Sequence, residues 1–303
     1  MPTASKENRS QQRDSATARP QLVTDGEAVR QLVMAATRAG KSVGLVPTMG
    51  ALHDGHLSLL DAARAECELA IVSIFVNPTQ FGPQEDFQRY PRDLDRDMKM
   101  LGGRGCDVVF APSKEAMYAA GHTTYVDVGP LGQVLEGEFR PTHFRGVATI
   151  VLKLFQLVPA DRAYFGRKDY QQTIVVRQMV ADLNVPIDVR VCPTVREADG
   201  LAMSSRNAYL SADERKRAVA LSQSLRLAEK LAADGEHDVE KIRQQMLKSI
   251  ESFGSVIVQY IKFVTDGTLT PVDRIAGLTT VVIAATVGKT RLIDNMLIGG
   301  QCP

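Results

Sequence analysis

Cysteine is scarce in this sequence: Cys67, Cys106, Cys192 and Cys302 are scattered, and no two form a C-x-x-C pair. That excludes a disulfide framework and a cysteine-rich zinc site, and it points to a reducing cytoplasm. An excess of charge of one sign is lacking as well. Lys+Arg number 36 against 35 Asp+Glu, a net charge of +1, whereas a nucleic-acid surface normally shows a strong basic excess. No apolar run approaches the roughly 18 residues of a membrane span. The opening stretch MPTASKENRSQQRDSATARP has no apolar centre of the kind a signal peptide needs. Residues 1–20 are therefore expected to be a disordered polar tail, and the protein to be soluble and cytoplasmic, with neither nucleic acid nor membrane as partner. Two nucleotide fingerprints are also missing. There is no G-x-G-x-x-G after the first strand and no G-x-x-x-x-G-K-[ST], which argues against a dinucleotide oxidoreductase and a P-loop enzyme.

What is present suits a two-part α/β protein. With 303 residues, 44% of them hydrophobic, the chain can bury a real core and make two domains. SVGLVPT (42–48), ELAIVSIFV (68–76) and CDVVFAP (106–112) are nearly continuous apolar runs rich in β-branched residues, the mark of strands in a parallel sheet covered on both faces. HLSLLDAARAEC (56–67) places Leu57, Leu60, Ala63 and Cys67 at helical spacing between the first two runs, completing a βαβ unit. Helices over 142–158 and 169–184 alternate with strands over 163–166 and 187–195. The expectation is a Rossmann-like, doubly wound parallel sheet over residues 21–194. Beyond it, Ser211 and Glu214 form a capping box opening a helix over 211–235. A second helix near 238–252 and two strands, 257–265 and 279–294, give a smaller α+β domain over 195–303, lid-like in position.

The stretch PTMGALHDGH (47–56) stands where the first strand hands over to a helix. Ligands bind at such turns, outside the carboxyl ends of the strands. The helix start offers unpaired N–H groups and about half a positive charge. Gly50 and Gly55 let the backbone approach a phosphate, and His53 and His56 add two donors of adjustable charge. The pattern suits a nucleoside triphosphate attacked at its α-phosphate, because fixed donors stabilise the charge that develops there. Two histidines three apart also fit a zinc pair, but the chain holds only five histidines and no further ligand-spaced cluster. GRKDYQQ (166–172) is a second strand-to-helix turn, and it aims Lys168 into the same crevice. AMSSRN (202–207) brings Ser204, Ser205 and Arg206 to a loop at the domain boundary. Lysine, arginine and hydroxyls neutralise a leaving pyrophosphate, with Mg²⁺ bridging its oxygens.

PTMGALHDGH, SIFVNPTQF, FGRKDYQQ, PTVREADGLAMSSRN and the terminal TRLIDN follow one another in the order seen in the pantoate–β-alanine ligases, or pantothenate synthetases. From about residue 22 to 295 the chain resembles that family. The resemblance implies an ATP-dependent, AMP-forming ligase, usually a homodimer, that condenses pantoate with β-alanine through pantoyl adenylate. It implies an ATP site of Met49, Gly50, Ala51, Leu52, His53, Asp54, Gly55 and His56, completed by Gly166, Arg167, Lys168, Asp169, Val195, Met203, Ser204, Ser205 and Arg206. His56 is then the residue usually assigned as proton donor, with His53, Lys168 and Arg206 beside it in the reaction. Gln80 and Gln172 bind pantoate, Asn77 and Arg140 line the same pocket, and Asp97 approaches the Mg²⁺. Segments 77–93 and 196–207 are candidate lids that exclude water from the adenylate. Two positions depart from the family pattern. Arg167 stands where Glu is usual and is expected to face solvent. Thr142 replaces the glycine of RPGHF and is itself a candidate N-cap. Rival readings are a nucleotidylyltransferase that keeps the adenylyl group on its product, a synthetase-like RNA binder, and an inactive nucleotide-binding regulator.

Overall fold

A computed structural model describes residues 19–83 and 85–299. Cys302, Gln84 and all but the last two residues of the expected N-terminal tail lie outside them. The chain runs β1 (Gln21–Val23), α1 (Gly26–Arg38), β2 (Val43–Thr48), α2 (Asp54–Glu66), β3 (Leu69–Ile74), α3 (Leu94–Gly103) and β4 (Val108–Phe110). Two short helices follow, α4 (Lys114–Met117) and α5 (Glu136–Phe139), then α6 (His143–Leu157), β5 (Arg162–Gly166), α7 (Tyr170–Asp182) and β6 (Asp188–Cys192). Last come α8 (Ala212–Ala233), α9 (Val239–Glu251), β7 (Val256–Thr265), β8 (Thr279–Val287) and β9 (Thr290–Ile298).

Strands β1 to β6 form one parallel sheet in the order β1-β4-β3-β2-β5-β6. Side chains alternate faces along a strand, so Leu45, Ile71, Ala163 and Phe165 pack under α1, α6 and α7, while Val46, Val72, Val109 and Tyr164 pack under α2 and α3. Both faces are covered, which is why these strands read as unbroken apolar runs. From β2 the chain winds outward to β3 and β4, then crosses back to lay β5 and β6 on the other flank of β2. The direction of winding therefore reverses between β2 and β5. A second, antiparallel sheet of order β7-β8-β9 buries its own core against α8 and α9, with Ala218, Leu225, Ile242 and Met246 meeting Val281, Ile283 and Ala285. Between β6 and α8 the chain has no strand or α-helix of its own, only a 3₁₀ turn over Ser205–Tyr209.

The expected Rossmann-like sheet with an α+β unit after it is what the chain builds, with several differences of detail. The run 279–294, expected as one strand, is a hairpin. Gly288 takes a left-handed φ of 60°, so β8 turns straight into β9 with Val287 opposite Thr290, and a two-residue turn leaves only a brief mark between strand-forming runs. β1, α1 and α3 have no counterpart in the periodicity reading. α1 and α3 are opened by Asp25 and Asp93, whose carboxylates accept from Ala28 N at 2.8 Å and Arg96 N at 3.0 Å. The Ser211–Glu214 capping box is present. Thr142 does occupy the N-cap position of α6, but its side chain makes no capping bond.

The first turn of α6 carries the loop that follows β3. A Cβ on Gly146 would sit 2.5 Å from Thr79 O and 2.7 Å from Gln80 Cα, and Gly146 O accepts from Asn77 Nδ2 at 3.1 Å. Only glycine lets the two backbones come this close. Gly146→Ala is expected to cost about 1–3 kcal/mol through overpacking, seen as a drop of several degrees in melting temperature with Gln80 displaced. An unchanged melting temperature would show that the 77–81 loop is not seated on the helix.

Candidate active site

The reversal between β2 and β5 opens a crevice beyond their carboxyl ends, the usual ligand position in such sheets. Into it run the 49–56 turn from β2 and the 166–169 turn from β5. The first turn is drawn tight by left-handed φ values of 78° at Gly50 and 51° at Ala51, and it is anchored from behind. Asp97, 1% exposed, accepts from Ala51 N and Leu52 N at 2.9 Å each. Both carboxylate oxygens are thus taken by the loop's backbone, and Asp97 does not line the cavity. It shapes the 49–52 turn, where the sequence expectation has it approach a metal. Gly50, Ala51 and Leu52 likewise frame the turn from behind the cavity wall, and Asp54 is exposed on the outer side of α2.

His53 and His56 do face the cavity, with ring centroids 4.1 Å apart. Gly55 makes the stack possible. A Cβ there would meet the His53 ring at 2.9 Å, so this glycine is needed for packing the histidines as well as for backbone approach. Each histidine keeps a buried Nδ1 with no protein partner among the described residues. Burial, then the Lys168 ammonium, pushes His53 down to about 4. Burial, then His53 and Lys168, holds His56 well below the usual histidine value. Both are therefore neutral imidazoles at pH 7, able to donate through N–H without carrying charge.

Around them the structure brings Met49, Gly166, Lys168, Asp169, Val195 and Met203 to the same cavity, along with Ser204, Ser205 and Arg206. Lys168 Nζ lies 3.5 Å from Asp169 Oδ1. Arg206 is held side-on by Asp86, through Nε at 3.0 Å and Nη2 at 2.8 Å. Asn77, Gln80, Arg140 and Gln172 line the adjoining part. Arg140 repeats the geometry of Arg206, with Nε and Nη2 on Glu85 at 2.8 and 2.6 Å. The residues missed from sequence are those that orient these groups. His143 is bonded at both ring nitrogens, to Gln80 O at 2.9 Å and Arg140 Nη1 at 3.1 Å. Burial, then Arg140, pushes it to about 4. Neutral His143 thus gives Nδ1–H to the carbonyl and accepts the arginine's N–H at Nε2. Asn295, in the TRLIDN run, donates Nδ2 to Arg167 O and Lys168 O at 2.9 Å each. Glu85, Asp86 and His143 carry no signal at sequence level, because their partners are 55, 120 and 63 residues away. The two candidate lids touch one another: Arg206 meets Asp86, and Tyr90 O–H lies 3.1 Å from Ser205 Oγ; just past the second, Tyr209 O–H donates to Arg89 O at 3.3 Å.

Arg167 departs from the expectation. It neither lines the cavity nor faces solvent, but turns back to Asp266 and Thr280 beside the second sheet, with Nη2 at 2.6 and 2.9 Å from their oxygens. The physical reason is the 3₁₀ turn Arg167–Asp169, which points successive side chains in different directions, so that Lys168 faces in while Arg167 faces away.

Fold and site together define an α/β nucleotide-binding enzyme of the H-x-G-H type, with neutral donors and cations converging at a sheet's switch point. The model of the pantoate–β-alanine ligase family matches residues 21–297, and the chain belongs to that family. A pantothenate synthetase of Moorella thermoacetica is 53% identical over 271 residues, covering 89% of this chain and 96% of that one. The solved structure of pantothenate synthetase from Thermus thermophilus is 44% identical with a TM-score of 0.87, covering 91% and 98% of the two chains. That of a pantoate–β-alanine ligase from Francisella tularensis, complexed with beta-gamma ATP and β-alanine, is 34% identical with a TM-score of 0.77, covering 92% and 97%.

The neutrality of the buried histidines has a consequence for pH. Unfolded, each titrates at about 6.5; folded, His53 and His143 stay neutral down to about pH 4, and burial, then His53 and Lys168, holds His56 well below its ordinary value. Between those values the unfolded chain binds protons that the folded chain refuses. Stability is therefore lost as pH falls, by up to about 1.4 kcal/mol per pH unit per histidine. Denaturant midpoints measured without ligand from pH 7 to 5.5 should fall steadily, and His56→Asn should flatten the slope. A flat wild-type profile would mean that the folded site accepts the protons.

Proposed function

We propose that this chain condenses (R)-pantoate with β-alanine, consuming ATP and releasing pyrophosphate and AMP. The observation that carries the reading is the meeting of the stacked His53–His56 pair and Lys168 with Gln80, Gln172 and Arg140 in one cavity, under membership of the ligase family. In the first step a pantoate carboxylate oxygen attacks the α-phosphorus and the bond to the pyrophosphate oxygen breaks. The carboxylate is already ionised at pH 7, so the step needs positioning and charge stabilisation. His53 and His56 donate N–H bonds to the phosphoryl oxygens, with His56 passing a proton where one is needed, and Lys168 and Arg206 receive the leaving pyrophosphate. Met49 and the start of α2 meet the nucleotide, held in place by the anchored 50–52 turn behind them. Gln80 and Gln172 bind pantoate's oxygens, and Asn77 and Arg140 hold Gln80 in place. In the second step the neutral β-alanine amine attacks the acyl carbon, the bond to the AMP oxygen breaks, and the nitrogen's proton passes to the departing AMP phosphate.

Magnesium is a separate matter. No group of three or more His, Cys, Asp or Glu converges among the described residues, and Asp97 is committed to backbone amides. The chain's own side chains therefore do not fit a resident metal site, and Mg²⁺ in this reading arrives on the triphosphate. Residues 21–194 serve as the ATP- and pantoate-binding domain and 195–303 as the lid-like domain. The reading extends to a homodimer in the cytoplasm. The run TTYVDV (123–128) supports a second copy, since it is rich in β-formers yet belongs to no sheet, and among the described residues only its Val126 amide finds a protein acceptor. No helix among the described residues is long and apolar enough to cross a membrane.

Pyrophosphate and AMP release test the reading. Pantoate alone should yield pyrophosphate, with free AMP only once β-alanine is added. An adenylylated product that persists with β-alanine would favour the nucleotidylyltransferase. His56→Ala should lower turnover by about 10²- to 10³-fold with the fold intact, the usual loss for a donor at developing charge. Near-normal turnover would remove His56 from the chemistry.

A further inference from the structure

The turn that presents Lys168 is gripped from outside by residues on or beside all three strands of the second sheet. From β9, Asn295 (3% exposed) bonds the carbonyls of residues 167 and 168. From β8, the fully buried Thr280 meets Arg167 Nη2 and gives its own O–H to Asp266 Oδ1 at 2.7 Å. Just past β7, Asp266 takes Arg167 at 2.6 Å. Tyr170, the first residue of α7, closes the node. Its ring lies 5.2 Å from the guanidinium, and its hydroxyl accepts from Gly267 N at 2.9 Å and donates to Thr268 O at 3.1 Å. Burial works to raise the Asp266 carboxyl, but the bonds from Thr280 and Arg167 outweigh it and hold it below the usual carboxylate range. An exposed ion pair contributes little; this one is half-buried and built into a network, where pairwise contributions are larger.

We propose that Arg167 is a positioning residue for Lys168, and that its pairing with Asp266 carries the docking of the C-terminal sheet into the nucleotide end of the cavity. Lys168 is the residue adjacent to the clamp, and on a 3₁₀ turn a displacement at one position moves the next. The glutamate usual at this position in the family would set two carboxylates against each other if Asp266 were kept, so the clamp belongs to this arginine–aspartate combination. A second tie to the C-terminal sheet, in which Glu136 of α5 receives Tyr260 O–H at 2.6 Å and Arg291 Nη2 at 2.7 Å, is independent of it. Loss of the clamp thus loosens the turn without releasing the C-terminal unit.

The proposal rests on the ligase reading, and a charge exchange tests it. Steady-state pyrophosphate release would be measured for Arg167→Glu, Asp266→Arg and the double exchange. Each single variant should lose at least about tenfold in kcat/KM for ATP while KM for pantoate moves by less than about twofold, and the double exchange should recover most of the loss. In a Lys168→Ala background, adding Arg167→Glu should change kcat/KM for ATP by less than about twofold, because the clamp acts through the lysine. A double exchange no better than the worse single variant, or losses that multiply in the Lys168→Ala background, would overturn the proposal. If Arg167→Glu fails to fold, Asp266→Asn, which keeps shape and removes charge, replaces it with the same expectations. Should the wild-type protein release no pyrophosphate with pantoate, the ligase reading fails first. Calorimetric ATP affinity of the same variants then decides the clamp, by the same pattern of loss, recovery and non-additivity.

Discussion

The pairing of β5 against β2 is the contact on which the site depends. These two strands are far apart in the chain, and their parallel register, Gly44 with Arg162 and Leu45 with Ala163, brings the HDGH turn and the GRKD turn to one crevice. Without that neighbourhood Lys168 would not bear on His53 and His56, and its field is among the causes that lower both. Burial is the larger cause for both histidines, and the sheet order adds the lysine's field to it. A parallel sheet that reverses its winding has one such gap between strand ends, and ligand chemistry collects there.

Charge in the cavity is organised by backing each cation. Arg140 and Arg206 are gripped side-on by consecutive acids, Glu85 and Asp86, from one short loop. Burial alone would raise both carboxyls, and the arginine bonds more than offset it, so both stay ionised. The guanidiniums are held in fixed orientation before any ligand arrives, and such preorganisation makes donors effective in a site shielded from water. Gly55, Asp97 and Gly146 do the corresponding work for the histidines, the 49–52 turn and the 77–81 loop. None of the three needs to touch a reacting atom.

The second sheet contributes through contact with the first. Asn295 and Thr280 reach the Lys168 turn, and Arg196 pairs with the buried Asp294 at 2.6 Å, fixing the 195–203 loop, itself closed by Glu197 N on Leu201 O and Met203 N on Val195 O, that leads to Ser204, Ser205 and Arg206. A small α+β unit appended to a nucleotide-binding sheet thus completes the cavity that the larger unit opens.

Local pattern was enough for much of this. Continuous apolar runs predicted β2, β3 and β4, helical spacing predicted α2, α6 and α7, and Ser211 with Glu214 predicted the start of α8, because backbone periodicity and capping are decided by residues within a few positions of one another. The motif residues His53, His56, Lys168 and Arg206 were legible for the same reason, as contiguous words at strand-to-helix turns and loops, whereas Gln80 came only with the family resemblance. Arg167, Asp97 and the β8–β9 turn were misread, Thr142 sits at the N-cap as read but makes no capping bond, and His143, Glu85 and Asp86 went unread. In most of these the deciding partner lies far along the chain: Asp266 for Arg167, Ala51 and Leu52 for Asp97, Arg140 and Arg206 for the two acids. The sequence by itself determined which turns carry chemistry. Which way each side chain faces there, and which histidines stay neutral, was decided only by tertiary packing, because burial and long-range charge do not exist until distant strands are brought together.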